Sequence, residues 1–182
     1  MALRPILQYP TPALTKAAAP VANIGGAVVQ LIQDMAETMY AAPGVGLAAP
    51  QVGVSQRVIV LDVHTDDEQP GTRLLKLINP EIAEREGEVV WEEGCLSVPD
   101  LTAPVKRARR ILVRAWTPDE KEIQVEAEEL FAVVLQHEID HLDGKLFLDR
   151  LSRLKRDLYR ARRRKLDRQG KASSGTSKPL LI

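Results

Sequence analysis

Apolar positions recur at three- and four-residue spacing early in the chain. Val28, Leu31, Ile32, Met35 and Met39 fall on one face and predict a helix that opens at Gly25–Gly26 and closes at Pro43–Gly44. At that spacing the two methionines read as core packing rather than as a binding groove. The period then changes. Residues 57–62 (RVIVLD) form a short apolar run of buried-strand type, residues 64–72 a polar turn, and residues 74–78 another strand. Residues 81–91 alternate irregularly and suggest a further strand. Residues 109–116 and 122–126 flank the turn Thr117-Pro118-Asp119-Glu120 and read as a hairpin, with proline preset for the turn. A second helix is expected from near Ala127, where Glu126, Glu128 and Glu129 suit the positive end of a helix dipole. It runs through LFAVVLQHEIDHL to Gly144, a C′ glycine. This helix is apolar on most sides, the pattern of a buried one. In a third helix Leu151, Leu154 and Leu158 line one face and arginines fill the rest. The first 24 residues, with Pro5, Pro10, Pro12 and Pro20, read as an extended wrap. Strands in antiparallel order with helices before and after them predict an α+β fold.

Size and composition narrow the class. A chain of 182 residues fits one domain with a tail, or at most two small domains, and 45% hydrophobic with 27% charged residues is ordinary for a soluble globular protein. No run of about 18 apolar residues predicts a transmembrane helix, and MALRPILQYPTPAL lacks the layout of a secretory signal. A single cysteine, Cys95, leaves no internal disulfide framework, and a reducing compartment fits best. The net charge of zero hides an asymmetry. Residues 150–171 hold 11 Lys and Arg against 2 Asp, leaving 14 basic and 23 acidic residues elsewhere. An acidic body carrying a basic arm suits contact with nucleic acid; a solvated helix paired with its own acidic body is the alternative. The expected organisation is one domain over residues 1–166, with the basic helix at about 150–166, and a disordered tail over 167–182.

The candidate chemistry sits on the second helix. In QHEIDH, residues 136–141, two histidines stand four apart with a glutamate after the first. At 100° per residue His141 lies about 40° and Glu138 about 100° around the helix from His137. Both imidazoles can then reach one ion, and the carboxylate can reach water beside it. Two satisfied core histidines are the bland alternative, but that leaves Glu138 buried and unpaired, which is costly. A catalytic site of this kind needs three protein ligands and an open position. After His141 the chain contains no histidine, glutamate or cysteine, and Phe147 stands where a metzincin would place its last histidine. His64 sits in the polar turn and reads as a surface residue. The third ligand therefore comes from upstream, or is an aspartate. Cys95 is the strongest candidate by chemistry, since thiolate is a good ligand for zinc or ferrous iron. A buried structural cysteine is its alternative. Glu92 and Glu93 beside it disfavour a thiolate unless a cation is present. Gly94 permits close approach of the backbone. Upstream again, GVGLAAPQ (residues 44–51) is small and uncharged up to Gln51, whose amide could donate to a developing oxyanion. No lysine follows it, so it does not read as a phosphate loop.

GVGLAAPQ, EGCLS (residues 93–97) and HEIDH (residues 137–141) stand in this order, and the set resembles the three signature motifs of peptide deformylase. The segment ETMYAAPGVGLAAPQVG is similar to the same family throughout. The resemblance covers about residues 4–165. It implies antiparallel sheets around a central metal-binding helix. It implies Cys95, His137 and His141 as metal ligands with water as the fourth, and Glu138 as general base and then acid. Gln51 and the backbone N–H of Leu96 would bind the formyl oxygen. The backbone of Gly46 would hold the substrate as an added strand. Gly44, Glu93 and Gly94 would line the same site. Val45, Val133 and Val134 are expected near an apolar pocket for methionine. The implied reaction removes the formyl group from N-formylmethionine of nascent polypeptides and releases formate. The implied cofactor is one divalent metal, Fe2+ in the cell, with Zn2+, Ni2+ or Co2+ possible in the purified protein. The resemblance also implies a monomer in the bacterial cytoplasm, no membrane partner, and a C-terminal helix that docks on the ribosome, where a basic arm suits rRNA phosphates. Two rivals remain from the residues alone: a zinc metallopeptidase, and a non-catalytic ribosome-associated metal protein.

Overall fold

The computed structural model describes residues 2–63, 71 and 73–168. His64 and most of the expected polar turn, together with residues 169–182 of the expected tail, lie outside the described residues. Three helices, α1 (Gly26–Ala41), α2 (Glu129–Leu142) and α3 (Arg153–Arg168), accompany seven strands: β1 (Gly46–Ala48), β2 (Val58–Leu61), β3 (Leu75–Glu86), β4 (Val89–Cys95), β5 (Val98–Arg107), β6 (Arg110–Trp116) and β7 (Glu122–Glu128). Five of them form an antiparallel sheet in the order β1-β2-β3-β6-β7, and β4 and β5 pair as a separate hairpin. The architecture is α+β, as the pattern predicts.

The run VIVL of β2 is apolar at every position because both of its faces are covered. Val58 and Val60 pack into a cluster with Leu31, Ile32, Met35 and Met39 of α1. Ile59 and Leu61 point the other way, into a cluster with Val133, Val134 and Leu135 of α2. Each such side chain, fully buried, contributes about 1.5–3 kcal/mol. Helix α2 is thus sandwiched, with the sheet against it and the β4–β5 hairpin on a second flank. Its end is tied down by the N-terminal wrap. Ala18 N–H donates to the Leu142 carbonyl (2.8 Å). Gly144 turns with φ +70°, and a Cβ there would stand 2.7 Å from the Lys16 carbonyl carbon.

Three local expectations change, and one strand appears where none was expected. Residues 81–91 are not one strand: Gly87, at φ +63°, separates the end of β3 from β4, and the two belong to different sheets. Residues 98–107 carry Pro99 and Pro104 yet form β5, which is possible because both strands of a two-stranded sheet are edges. Helix α2 begins at Glu129, not near Ala127, because Ala127 stays on β7 opposite Ile111. The leucine face of the third helix also resolves differently. Leu151 precedes α3 and is buried, whereas Leu154 and Leu158 are 70% and 62% exposed. Among the described side chains of α3, Tyr159 and Arg163 are the buried ones. The Tyr159 hydroxyl donates to the Pro99 carbonyl of β5 (3.1 Å).

Candidate metal centre and active site

Helix α2 presents His137 and His141 one turn apart, and β4 presents Cys95 to the same point. All three are at most 1% exposed. His141 Nε2 stands 3.2 Å from His137 Nε2 and 3.3 Å from Cys95 Sγ, and the three donor atoms all lie within 4.8 Å of one another. Donors arranged tetrahedrally around one zinc-sized ion sit about 3.3–3.6 Å apart, so the cluster has the size of such a site. The electrostatics agree. Burial pushes the Cys95 thiol far up, with the nearby Glu138 and Glu93 charges adding to it. Burial, together with His137, holds His141 well below the usual imidazole range. A thiol and imidazoles so placed become good ligands once a cation replaces the missing solvation.

Surrounding groups set the geometry. Glu93 lies two residues before Cys95 on the same face of β4, and its Oε2 accepts from His137 Nδ1 (2.9 Å). That bond places the other ring nitrogen, Nε2, toward Cys95. Arg107 of β5 grips Glu93 with two N–H groups, at 2.6 and 2.8 Å, and also donates to Asp140 of α2. Burial opposes the charge on Glu93, but the bonds from Arg107 and His137 hold its carboxyl below the usual range. The strand register shifts between Glu93 and Cys95, so Gly94 occupies an irregularity just before the cysteine. Phe147, in the 3-10 turn Phe147–Arg150 after α2, stacks near His137 with ring centroids 6.2 Å apart.

Glu138 is different. It is fully buried, and neither carboxylate oxygen has a hydrogen-bond partner among the described residues. Burial raises its pKa well above the usual value. Its carboxylate lies against Gly46 of β1: a Cβ there would collide with Oε1 and stand 2.9 Å from Cδ. Gly44 is tight too, since a Cβ on it would meet Leu96 Cδ1 at 2.8 Å. Gln51 completes the constellation. Its Oε1 accepts from Ala48 N–H (2.7 Å), which orients its amide nitrogen toward Ser97 Oγ (3.2 Å) and Cys95 Sγ (3.9 Å).

The sequence model of the polypeptide deformylase family matches residues 3–157. The chain belongs to that family. It is 51% identical over 165 residues to a peptide deformylase of Syntrophobacter fumaroxidans, covering 91% of this chain and 96% of the relative. Its fold is similar to the crystal structure of a peptide deformylase from Legionella pneumophila, with TM-score 0.84, 44% identity and coverage of 94% and 100%. It is also similar to the peptide deformylase of Ehrlichia chaffeensis in complex with actinonin, with TM-score 0.85, 36% identity and coverage of 92% and 99%. The deformylase family is metal-dependent, and this member carries a Cys/His/His group able to hold a metal.

The three deformylase motifs, far apart in sequence, meet around α2. Gly44 touches Leu96, Gly46 touches Glu138, and Gln51 faces Cys95. Val45 packs on the cluster that contains Val133 and Val134. The Glu93 side chain, expected beside the substrate, is engaged by Arg107 and His137. Sequence reasoning missed Ser97, Arg107, Asp140 and Arg150. A signal existed for Asp140: a carboxylate inside a helix buried on most sides requires a cationic partner. Nothing in the local pattern distinguishes Arg107 from its neighbours Arg109 and Arg110.

Proposed function

We propose that this chain is a hydrolase that removes the formyl group from N-formylmethionyl nascent polypeptides and releases formate. The single observation that carries the mechanism is Glu138: a buried, unpartnered carboxylate beside a Cys95/His137/His141 cluster, with Gly46 against it. Cys95, His137 and His141 would hold a divalent ion, which would supply Lewis acidity and lower the pKa of a water beside it. Glu138 takes the proton of the attacking water and returns it to the leaving amine, and its raised affinity for protons suits both steps. The Gln51 amide and the Leu96 backbone N–H receive the formyl oxygen as it gains charge. Ala48 holds that amide in orientation, so little reorganisation is needed at the moment of reaction.

The substrate backbone extends along β1, which among the described residues pairs on one side only, with β2. An added strand at Gly46 fits that edge. Gly44 and Gly94 let the backbone approach closely, and Val45, Val133 and Val134 supply apolar surface for the methionine side chain. Ferrous iron is the metal in the cell; Zn2+, Ni2+ and Co2+ replace it in the purified protein, since thiolate and imidazole suit all of them. The protein works as a monomer in the bacterial cytoplasm. Helix α3, with nine Lys and Arg against two Asp, contacts ribosomal RNA. Charge-neutral substitutions at the exposed Arg162, Arg164 and Lys165 then reduce co-sedimentation with ribosomes at low salt; unchanged co-sedimentation rejects that contact.

The decisive assay is formate release from formyl-Met-Ala-Ser by anaerobically purified, iron-loaded protein. Glu138→Ala retains metal and loses activity. Internal peptide-bond cleavage without formate release would favour a metallopeptidase instead.

A further inference from the structure

We propose that Arg150, outside all three motifs, is a positioning residue for His137, acting through Asp140, Arg107 and Glu93. Among the described residues after His141 none joins the metal-ligating cluster, but the chain returns to that cluster indirectly. The 3-10 turn Phe147–Arg150 reaches His137 by two routes, one direct and one through other side chains. Phe147 stacks near the imidazole ring. Arg150, at the end of the same turn, begins a relay that ends on the ring's Nδ1 edge.

The relay is continuous. Arg150 Nε donates to Asp140 Oδ2 (2.6 Å) and its Nη2 to Oδ1 (2.7 Å), a two-pronged grip on both oxygens. Arg107 Nη1 donates to the same Asp140 Oδ2. Arg107 Nε and Nη2 hold the two oxygens of Glu93, and Glu93 Oε2 accepts from His137 Nδ1 (2.9 Å). Two guanidiniums and two carboxylates alternate along this path. The side chains of Arg107 and Glu93 are fully buried, Asp140 is 9% exposed, and Arg150, at 38%, is the end that reaches solvent.

The balance of charge gives Arg150 its role. With Arg150 present, each carboxylate has its own guanidinium, and Arg107 can keep two of its three bonds on Glu93. Without Arg150, two buried carboxylates compete for Arg107 alone. Asp140 then draws the shared guanidinium toward α2 and slackens its hold on Glu93. The Glu93–His137 bond, which fixes the imidazole's tautomer and angle, moves with it. Lysine can restore the charge but not the planar fork that binds both oxygens of Asp140.

This proposal rests on the reading of His137 as a metal ligand, and the test separates the two. Arg150→Met keeps the stem at a partly exposed position and removes the fork; Arg150→Lys restores only the charge. Two quantities are measured on full-length protein: the Zn2+ dissociation constant by chelator competition, and the His137 Nδ1–H proton resonance of the Zn2+-loaded protein. The thermal midpoint is followed in parallel. Arg150→Met is expected to weaken Zn2+ binding by up to about tenfold, the lower edge of the 10–100-fold seen when a ligand's direct partner is lost, and to shift the Nδ1–H resonance. Arg150→Lys falls between it and the wild type. A wild-type Zn2+ affinity and an unmoved resonance in Arg150→Met, with only the thermal midpoint lowered, would mean that Arg150 merely braces the turn, and would overturn the proposal. Zn2+ binding by the parent protein that survives His137→Ala would instead overturn the ligand reading, and the proposal with it.

Discussion

Helices α2 and α3 invert the usual distribution of side chains in opposite ways. Helix α2 buries His137, Glu138, Asp140 and His141, while α3 leaves Leu154 and Leu158 in solvent and buries Tyr159 and Arg163. The difference lies in what surrounds each helix. Helix α2 has the sheet on one side and the β4–β5 hairpin on another, so its polar groups survive only where a partner or a task exists. Asp140 has Arg107 and Arg150, His137 has Glu93, and Glu138, among the described residues, has neither hydrogen-bond partner nor exposure to solvent. Helix α3 meets the body along one narrow line, where Tyr159 joins a cluster with Leu146, Phe147 and Leu151. Burial of a polar residue on α2 is therefore a statement about chemistry. Exposure of a leucine on α3 is a statement about how little surface covers it.

The largest test of this contrast is Glu138→Gln. It keeps the shape and removes the base, so kcat should fall by roughly 10²–10⁴-fold with metal content unchanged; a smaller loss in a metal-replete sample would remove Glu138 from the proton transfer. Gly46→Ala should come next. The new methyl meets the Glu138 carboxylate, and displacement of such a group by about 1 Å can cost on the order of 10²-fold in rate. Kinetics at saturating substrate would show whether kcat carries the effect.

On α3 the two kinds of position should separate in stability rather than rate. Tyr159→Ala should cost about 3 kcal/mol by denaturant unfolding, the low end for a buried aromatic. Leu158→Ala should stay within about 0.5 kcal/mol, as for other exposed sites. Equal costs would mean that the leucine face is covered in solution. A last test concerns the metal-free protein. Burial raises the Glu138 pKa when folded, so between its usual value and the raised one the folded chain keeps a proton that the unfolded chain releases. Stability conferred by that group is therefore lost as pH rises through this window. Glu138→Gln should flatten that slope and make the metal-free protein more stable at neutral pH; denaturation curves from acid to neutral pH read it directly.

Much of the fold was legible because periodicity reports burial. The α1 stripe and the two-faced β2 run follow from apolar spacing, and the β6–β7 hairpin from the turn residues between two strand-like runs. The boundary at Gly87 and strand β5 were not legible. A glycine turn inside an alternating run, and prolines inside an edge strand, carry no local sign of which sheet they will join. The candidate ligands could be approached by chemistry, since HEIDH lacks a downstream third ligand and Cys95 is the lone thiol. The groups that orient them could not.

By itself, then, the sequence determined the class of chemistry: which side chains can bind metal, move a proton or stabilise an oxyanion, and that they lie in three separate segments. Only the tertiary structure decided that Glu138 rests against the missing side chain of Gly46, that Glu93 serves His137, and that Arg107 and Arg150 share Asp140. The physical reason is range. Periodicity and ligand chemistry are properties of residues a few positions apart. Pairing of buried charges depends on which strands and helices are brought together, and that is set by packing of the whole core.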